Sequence, residues 1–303
     1  MEVGYLSAIL PEYNFEQVMN FAKTSGFKHV ELACWPVGKA ERRYAGVSHL
    51  DVSTLKESIK RDILNIISST VPVSALAYYP NVLADDESQS LPAIEHLKQL
   101  IIAASFLGIS RVNTFIGREH SRDVEYNFGR FKEVWPDIIQ FAEQHRVRIC
   151  IENCPMYFSS DEWPGGKNLA TTPNMWDRMF TEIPSDSFGL NYDPSHMVWQ
   201  QMDYIQPLYD FSEKLFQIHI KDLKILKHKL NKVGIMAHPL EYCSPKLPGL
   251  GDIDWSAFFS ALNSIGYDGP AIIEVEDKAY EGSDDDVLAS LHQSLRYVKQ
   301  FVS

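Results

Sequence analysis

Eight strand-like runs alternate with eight helix-like runs along this 303-residue chain, and that alternation restricts the fold more than any other feature. The strand runs are Glu2 to Ala8, His29 to Ala33, Val73 to Tyr79, Arg111 to Ile116, Arg148 to Glu152, Phe188-Gly189-Leu190, Leu215 to Ile220 and Pro270 to Val275. Helical signals lie between them. Asn14 with Gln17, and Thr54 with Glu57, have capping-box spacing. Further helices are expected from Pro92 to Leu107, Asp123 to His145, Thr172-Pro173 onward, Tyr204 to Phe211 and Trp255 to Ile265. The last begins in Ser283-Asp284-Asp285-Asp286 and carries an apolar stripe of Leu288, Leu291, Leu295 and Val298. Strands separated by helices form a parallel sheet, and eight such units close into an α/β (β/α)₈ TIM barrel. The expectation is one barrel domain over 1–303, with enlarged loops at 153–172 and 223–252. A doubly wound open sheet would need a glycine-rich turn after the first strand, where this chain has Leu10-Pro11-Glu12.

In such a barrel, functional groups gather at the C-terminal strand ends. Four consecutive strands end in Glu152, Asp193, His219 and Glu274. A carboxylate at the end of a buried strand needs a cation or a donor beside it. Three carboxylates and an imidazole at one level form a donor set for a divalent metal ion. Mn²⁺ is expected first, or Mg²⁺, with Co²⁺, Fe²⁺ and Zn²⁺ also compatible. The balance of 28 Lys and Arg against 40 Asp and Glu, a net −12, disfavours nucleic acid and anionic membrane as partners. No run is long enough to span a bilayer. No leader-like segment precedes the first strand, and the four cysteines lack CxxC spacing, so a cytoplasmic protein with free thiols is expected.

The segments Ile151-Glu152-Asn153, Asn191-Tyr192-Asp193-Pro194-Ser195-His196, Ile218-His219-Ile220-Lys221-Asp222 and Ile273-Glu274-Val275-Glu276 together resemble the sugar phosphate isomerase/epimerase superfamily with the xylose isomerase-like TIM barrel. That superfamily includes ketose 3-epimerases and inosose isomerases and dehydratases. The resemblance implies that Glu152, Asp193, His219 and Glu274 hold the metal, that Glu152 and Glu274 are also the catalytic acid/base pair, and that His196 contacts substrate hydroxyls. The implied reaction is proton abstraction next to a metal-bound carbonyl of a ketose or keto-sugar derivative, through an enediolate. Protonation of the opposite face gives epimerisation, and protonation of the neighbouring carbon gives isomerisation. Loss of a β-leaving group gives the alternative, a lyase or dehydratase acting on a keto-inositol or 3-keto-glycoside. The large loops favour a substrate bigger than a free monosaccharide. An endonuclease of the same superfamily would need further metal ligands and a basic groove, against which the net charge argues.

Beyond the metal set, substrate contacts are expected from His196, Lys221, Trp35, His49 and Asn113, with Arg43 as part of a sugar-facing wall. Lys221 shares strand parity with His219 and either binds substrate oxygens or pairs with a nearby acid. Glu276 stands to Glu274 in the same way, and Asp222 is read as structural. Glu31 and Asn113 close their strands and either meet substrate or cap loops. His238 is read as a surface histidine. Trp163 and Trp199 either stack on a sugar or pack within their loops. Related barrels pair as dimers or tetramers, so a homo-oligomer is expected, with the apolar residues of 197–209 as its interface.

Overall fold

The computed structural model describes residues 1–38, 46–157 and 159–302, so Arg43 lies outside the described residues. Its strands are β1 (Glu2–Leu6), β2 (His29–Ala33), β3 (Val73–Ala77), β4 (Arg111–Thr114), β5 (Arg148–Glu152), β6 (Phe188–Tyr192), β7 (Leu215–Ile220), β8 (Asp222–Ile225), β9 (Cys243–Lys246) and β10 (Pro270–Ile273). Eight of them close a parallel barrel in the order β1-β10-β7-β6-β5-β4-β3-β2. β8 and β9 stand apart as an antiparallel ribbon. Every residue of β6 and β7 is buried, as expected for strands covered on both faces. Gly189 meets a close backbone approach here, since a Cβ would lie 2.5 Å from the Lys214 carbonyl.

The helices are α1 (Phe15–Ser25), α2 (Glu57–Ser69), α3 (Glu87–Leu107), α4 (Val124–Gln144), α5 (Pro173–Glu182), α6 (Ser195–Val198), α7 (Gln206–Asp210), α8 (Lys227–Val233), α9 (Trp255–Ser264) and α10 (Asp284–Val298). The Asn14–Gln17 capping box is present, and Thr172 caps α5 with Pro173 in its first turn. Gly26 and Gly108 end α1 and α3 in the left-handed conformation. Between barrel and helices lies an aromatic layer. Phe131, Trp135 and Phe188 stack on one another, and Trp176 sets its edge against Tyr192. The buried indoles of Trp135 and Trp176 donate to the carbonyls of Ile116 and Ala170.

Several boundaries differ from those expected. Thr54 does not cap α2: it sits in a 3₁₀ turn whose cap is Asp51, and α2 starts after Lys56 with no side-chain cap. Asp86 accepts from the Ser88 amide and starts α3 five residues before Pro92, which lies inside the helix. The loop 223–252 is not irregular throughout, because it contains the β8–β9 ribbon and α8. Of the expected interface residues, Met197 and Trp199 are buried within the chain, whereas Tyr209 is exposed.

Candidate metal and active site

β5 ends on Glu152, buried under a loop that Asn168 ties down. The Asn168 amide donates to the carbonyls of Glu152 and Cys154, 2.9 and 2.7 Å away. Asp193 follows β6 directly. The Asn153 side chain clamps its backbone, accepting from the Asp193 amide at 2.8 Å and donating to the Asp193 carbonyl at 2.9 Å. Asp193 Oδ1 accepts from the Ser195 amide, which leaves Oδ2 turned toward His196 Nε2 at 3.1 Å. His219, in β7, has no solvent exposure. Its Nδ1 lies 3.0 Å from Glu274 Oε2 and 3.8 Å from Glu152 Oε2. Glu274 is the first residue after β10.

One donor atom from each of Glu152, Asp193, His219 and Glu274 lies within 4.8 Å of the others. Asp193 Oδ2, His219 Nδ1 and Glu274 Oε2 are buried and lie at ion-pair distance, the first from His196 and the other two from each other, yet none makes a well-aligned hydrogen bond. Buried polar atoms are rarely left so, and three of them converging on one point fit a divalent ion. The mixed oxygen and nitrogen set accepts Mn²⁺, Fe²⁺, Co²⁺ or Zn²⁺.

Charge around this point is divided unevenly. Burial, with the Glu274 charge beside it, pushes the Glu152 carboxyl up to about 6. Burial also acts against a charged Glu274, but Lys221 and His219 outweigh it and hold that carboxyl well below the usual range. Lys221 Nζ lies 3.2 Å from Glu274 Oε1 and 2.6 Å from Glu276 Oε2. Burial opposes the charged form of His196, yet Cys154 and Asp193 keep its imidazole protonated well above the ordinary range. Two neighbouring carboxyls are thus pushed apart, the arrangement that separates an acid from a base.

Glu152, His196, Lys221 and Glu274 open into a cavity of about 690 Å³, which Trp35 and Glu276 also line. The structure brings these residues together. It places His49 elsewhere: that ring is buried, donates from Nε2 to the Leu10 carbonyl at 3.0 Å and takes the Ser7 hydroxyl at Nδ1 at 2.9 Å. Asn113 is fully buried in β4, is not among the cavity-lining residues, and has no hydrogen-bond partner for either amide atom. His238 is buried rather than on the surface, because its ring packs edge-on to Tyr157 and Trp163. Trp163 and Trp199 join the same aromatic cluster. Asp222 is structural, as read: its carboxylate accepts from the amides of Leu223, Gly249, Gly251 and Ile253 and from the Trp255 indole.

A further carboxylate stands behind the metal set. Glu31, inside β2 and with no exposure, accepts from Tyr79 Oη and Gln217 Nε2, both at 2.5 Å, and from His219 Nε2 at 2.7 Å. The Nε2 proton on Glu31 leaves the Nδ1 lone pair of His219 for a metal. A carboxylate between Val30 and Leu32, both fully buried, was the available signal. Cys154, which also lines the cavity, forms a second compact group with Glu152 and His196.

Solved structures share this architecture. The chain superposes on 3-keto-D-glucoside 4-epimerase from E. coli with a TM-score of 0.72 at 17% identity, covering 99% of each chain. It superposes on the IOLI protein with a bound zinc atom with a TM-score of 0.72 at 17% identity, covering all of both. Among curated relatives, an inosose dehydratase of Geobacillus thermodenitrificans is 27% identical over 37% of this chain and 38% of its own length. A ketose 3-epimerase of Arthrobacter globiformis is 30% identical over 31% of this chain and 25% of its own. The chain spans about half or less of the curated relatives it matches. The family described as xylose isomerase-like TIM barrel matches residues 19–300, and the chain belongs to that family.

Proposed function

We propose that this protein is a divalent-metal-dependent sugar isomerase/epimerase acting on a ketose or keto-sugar derivative, with Glu152 and Glu274 as its acid/base pair. The observation that carries this reading is the position of those two carboxyls. They stand at the ends of β5 and β10, flank His219 and face one cavity. Glu152, Asp193, His219 and Glu274 would hold the metal, Mn²⁺ by preference, and a bound divalent ion would polarise the substrate carbonyl and lower the pKa of the neighbouring C–H. Glu274, paired with Lys221 at 3.2 Å, would take the proton. Glu152, on the other side of His219, would return one. His196 and Lys221 are cationic donors for the substrate oxygens that gain negative charge.

A second reading has its own support. The cavity exceeds the needs of a free ketose, and the named relatives include an inosose dehydratase. The same pair would then expel a β-substituent from a keto-inositol or 3-keto-glycoside, with His196 or Lys221 protonating the leaving oxygen. The acidic surface fits a neutral small-molecule substrate rather than nucleic acid. Among the described residues no helix is long and apolar enough to cross a membrane. We place the protein in the cytoplasm, which its four free cysteines suit, and take it to act as a homo-oligomer.

The test is NMR in D₂O with Mn²⁺-loaded protein and a panel of ketoses, inososes and 3-keto-glycosides. Deuterium at one inverted carbon is the epimerase outcome, a shifted carbonyl the isomerase outcome, and an enone or released group the lyase outcome. Glu152→Gln and Glu274→Gln are each expected to lower turnover at least 100-fold. Turnover retained in both variants would remove the acid/base assignment.

A further inference from the structure

The cavity is much larger than the chemistry at its floor requires. A single sugar ring occupies the space of about six or seven waters, roughly 200 Å³ at ~30 Å³ each, against about 690 Å³ available. With a ring seated on Glu152, His196, Lys221 and Glu274, more than half the volume lies above it. That upper part is walled by Tyr157, Trp199, Leu226, Pro239, Leu240 and Pro245. Two of the six are prolines with no N–H, and the Tyr157 hydroxyl is turned to the Pro164 carbonyl at 2.8 Å. Ser244 also lines the cavity from the β8–β9 ribbon, and its hydroxyl turns to the Pro245 carbonyl at 3.3 Å.

The wall is a built structure. The Trp163 indole donates to the Met236 carbonyl at 2.9 Å, joining the loop after β5 to the loop after β7. The β8–β9 ribbon carries the far side, where Leu223 and Cys243 of the ribbon pack with Trp199 and Tyr242 as one buried cluster. Leu240, which also lines the cavity, is 55% exposed among the described residues, an apolar side chain open at the mouth. Among the described residues, Lys229 and Lys278 also line the cavity, with Glu276 and Glu281 beside them to offset their charge.

We propose that this upper chamber is an aglycone subsite, and that the substrate is a glycoside: a keto-sugar ring on the metal-side floor linked to an apolar, ring-sized group held by Tyr157, Trp199, Leu226 and Leu240. The inference deepens the proposed function and rests on it for the sugar end alone. It explains why two enlarged loops meet over one barrel mouth. Burying a phenyl-sized aglycone against this wall strengthens binding about tenfold or more over a methyl group.

The experiment compares methyl and phenyl 3-keto-β-D-glucosides by calorimetric titration into the Mn²⁺-loaded full chain, with proton exchange in D₂O followed on the same samples. The expected result is a phenyl-to-methyl affinity ratio of about ten or more, falling toward one in Leu240→Ser and in Leu226→Ser. Should the Leu226 variant not fold, Leu240→Ser, at an exposed position, carries the comparison. Equal affinity for the two glycosides, a ratio that both variants keep, or tighter binding of a phosphorylated keto-sugar than of the phenyl glycoside would overturn the subsite. The two layers fail separately. A high, leucine-dependent ratio without exchange sinks the proposed reaction and keeps the subsite. Exchange with a ratio of one does the reverse.

Discussion

Glu31 shows how much a single side chain depends on residues far away in the chain. Its carboxylate is fully buried and held by Tyr79, Gln217 and His219. An uncompensated buried carboxylate would cost several kcal/mol; here three donors satisfy it and in return fix the tautomer and ring plane of His219. Carboxylates placed behind a metal-binding imidazole carry about 10–100-fold in metal affinity. Glu31→Gln is expected to lower Mn²⁺ or Zn²⁺ affinity by about that factor in a chelator-competition titration, with far-ultraviolet circular dichroism unchanged. Unchanged affinity would show that Glu31 only fills the barrel. None of this was legible locally, because Gln217 and His219 are 186 and 188 residues away from Glu31. His49 shows the opposite error. Its place in a polar loop pointed to substrate, but the Ser7 hydroxyl and Leu10 carbonyl occupy both ring nitrogens.

At the scale of elements, the two long loops depend on carboxylates that gather backbone donors. Asp222 holds the return of the loop after β7 through four amides and an indole. Asp222→Ala leaves those donors without a partner and is expected to destabilise the protein by roughly 3 kcal/mol or more in urea unfolding, with Asp222→Asn costing less. The loop after β5 uses Glu162, which accepts from the Ser159 amide and hydroxyl and pairs with Lys167. Burial would raise its pKa, but those bonds prevail and bring it down to about 2. A carboxyl depressed in the fold stabilises it at pH above the unfolded value, about 4.5, and that contribution is lost as pH falls toward 2. Wild type should therefore exceed Glu162→Gln by about 1–3 kcal/mol at pH 7, with the gap closing as thermal unfolding is repeated from pH 5 to pH 3. A gap independent of pH would assign the loss to packing.

Over the whole molecule, stability and metal binding are linked. Glu152, Asp193 and Glu274 repel one another at the barrel mouth, and only the folded chain brings them within reach of one ion. A ligand at 100 times its Kd stabilises the state it binds by about 2.7 kcal/mol. Saturating Mn²⁺ is therefore expected to raise Tm by several degrees, and chelation to reverse it. A Tm that responds to neither Mn²⁺ nor Zn²⁺ would mean that the four donors hold no ion.

The barrel and the candidate metal set are legible in the sequence. Strand and helix periodicity are local properties repeated eight times, and a parallel barrel sends every strand end to the same face, so Glu152, Asp193, His219 and Glu274 were legible by counting ends. The rest depends on how the chain packs. Which histidine meets the cavity, which carboxylate backs His219, and how the loops after β5 and β7 join above the site all depend on contacts across the barrel. Such contacts are set by packing and by the need to satisfy each buried polar atom, and neither leaves a periodic trace in the chain.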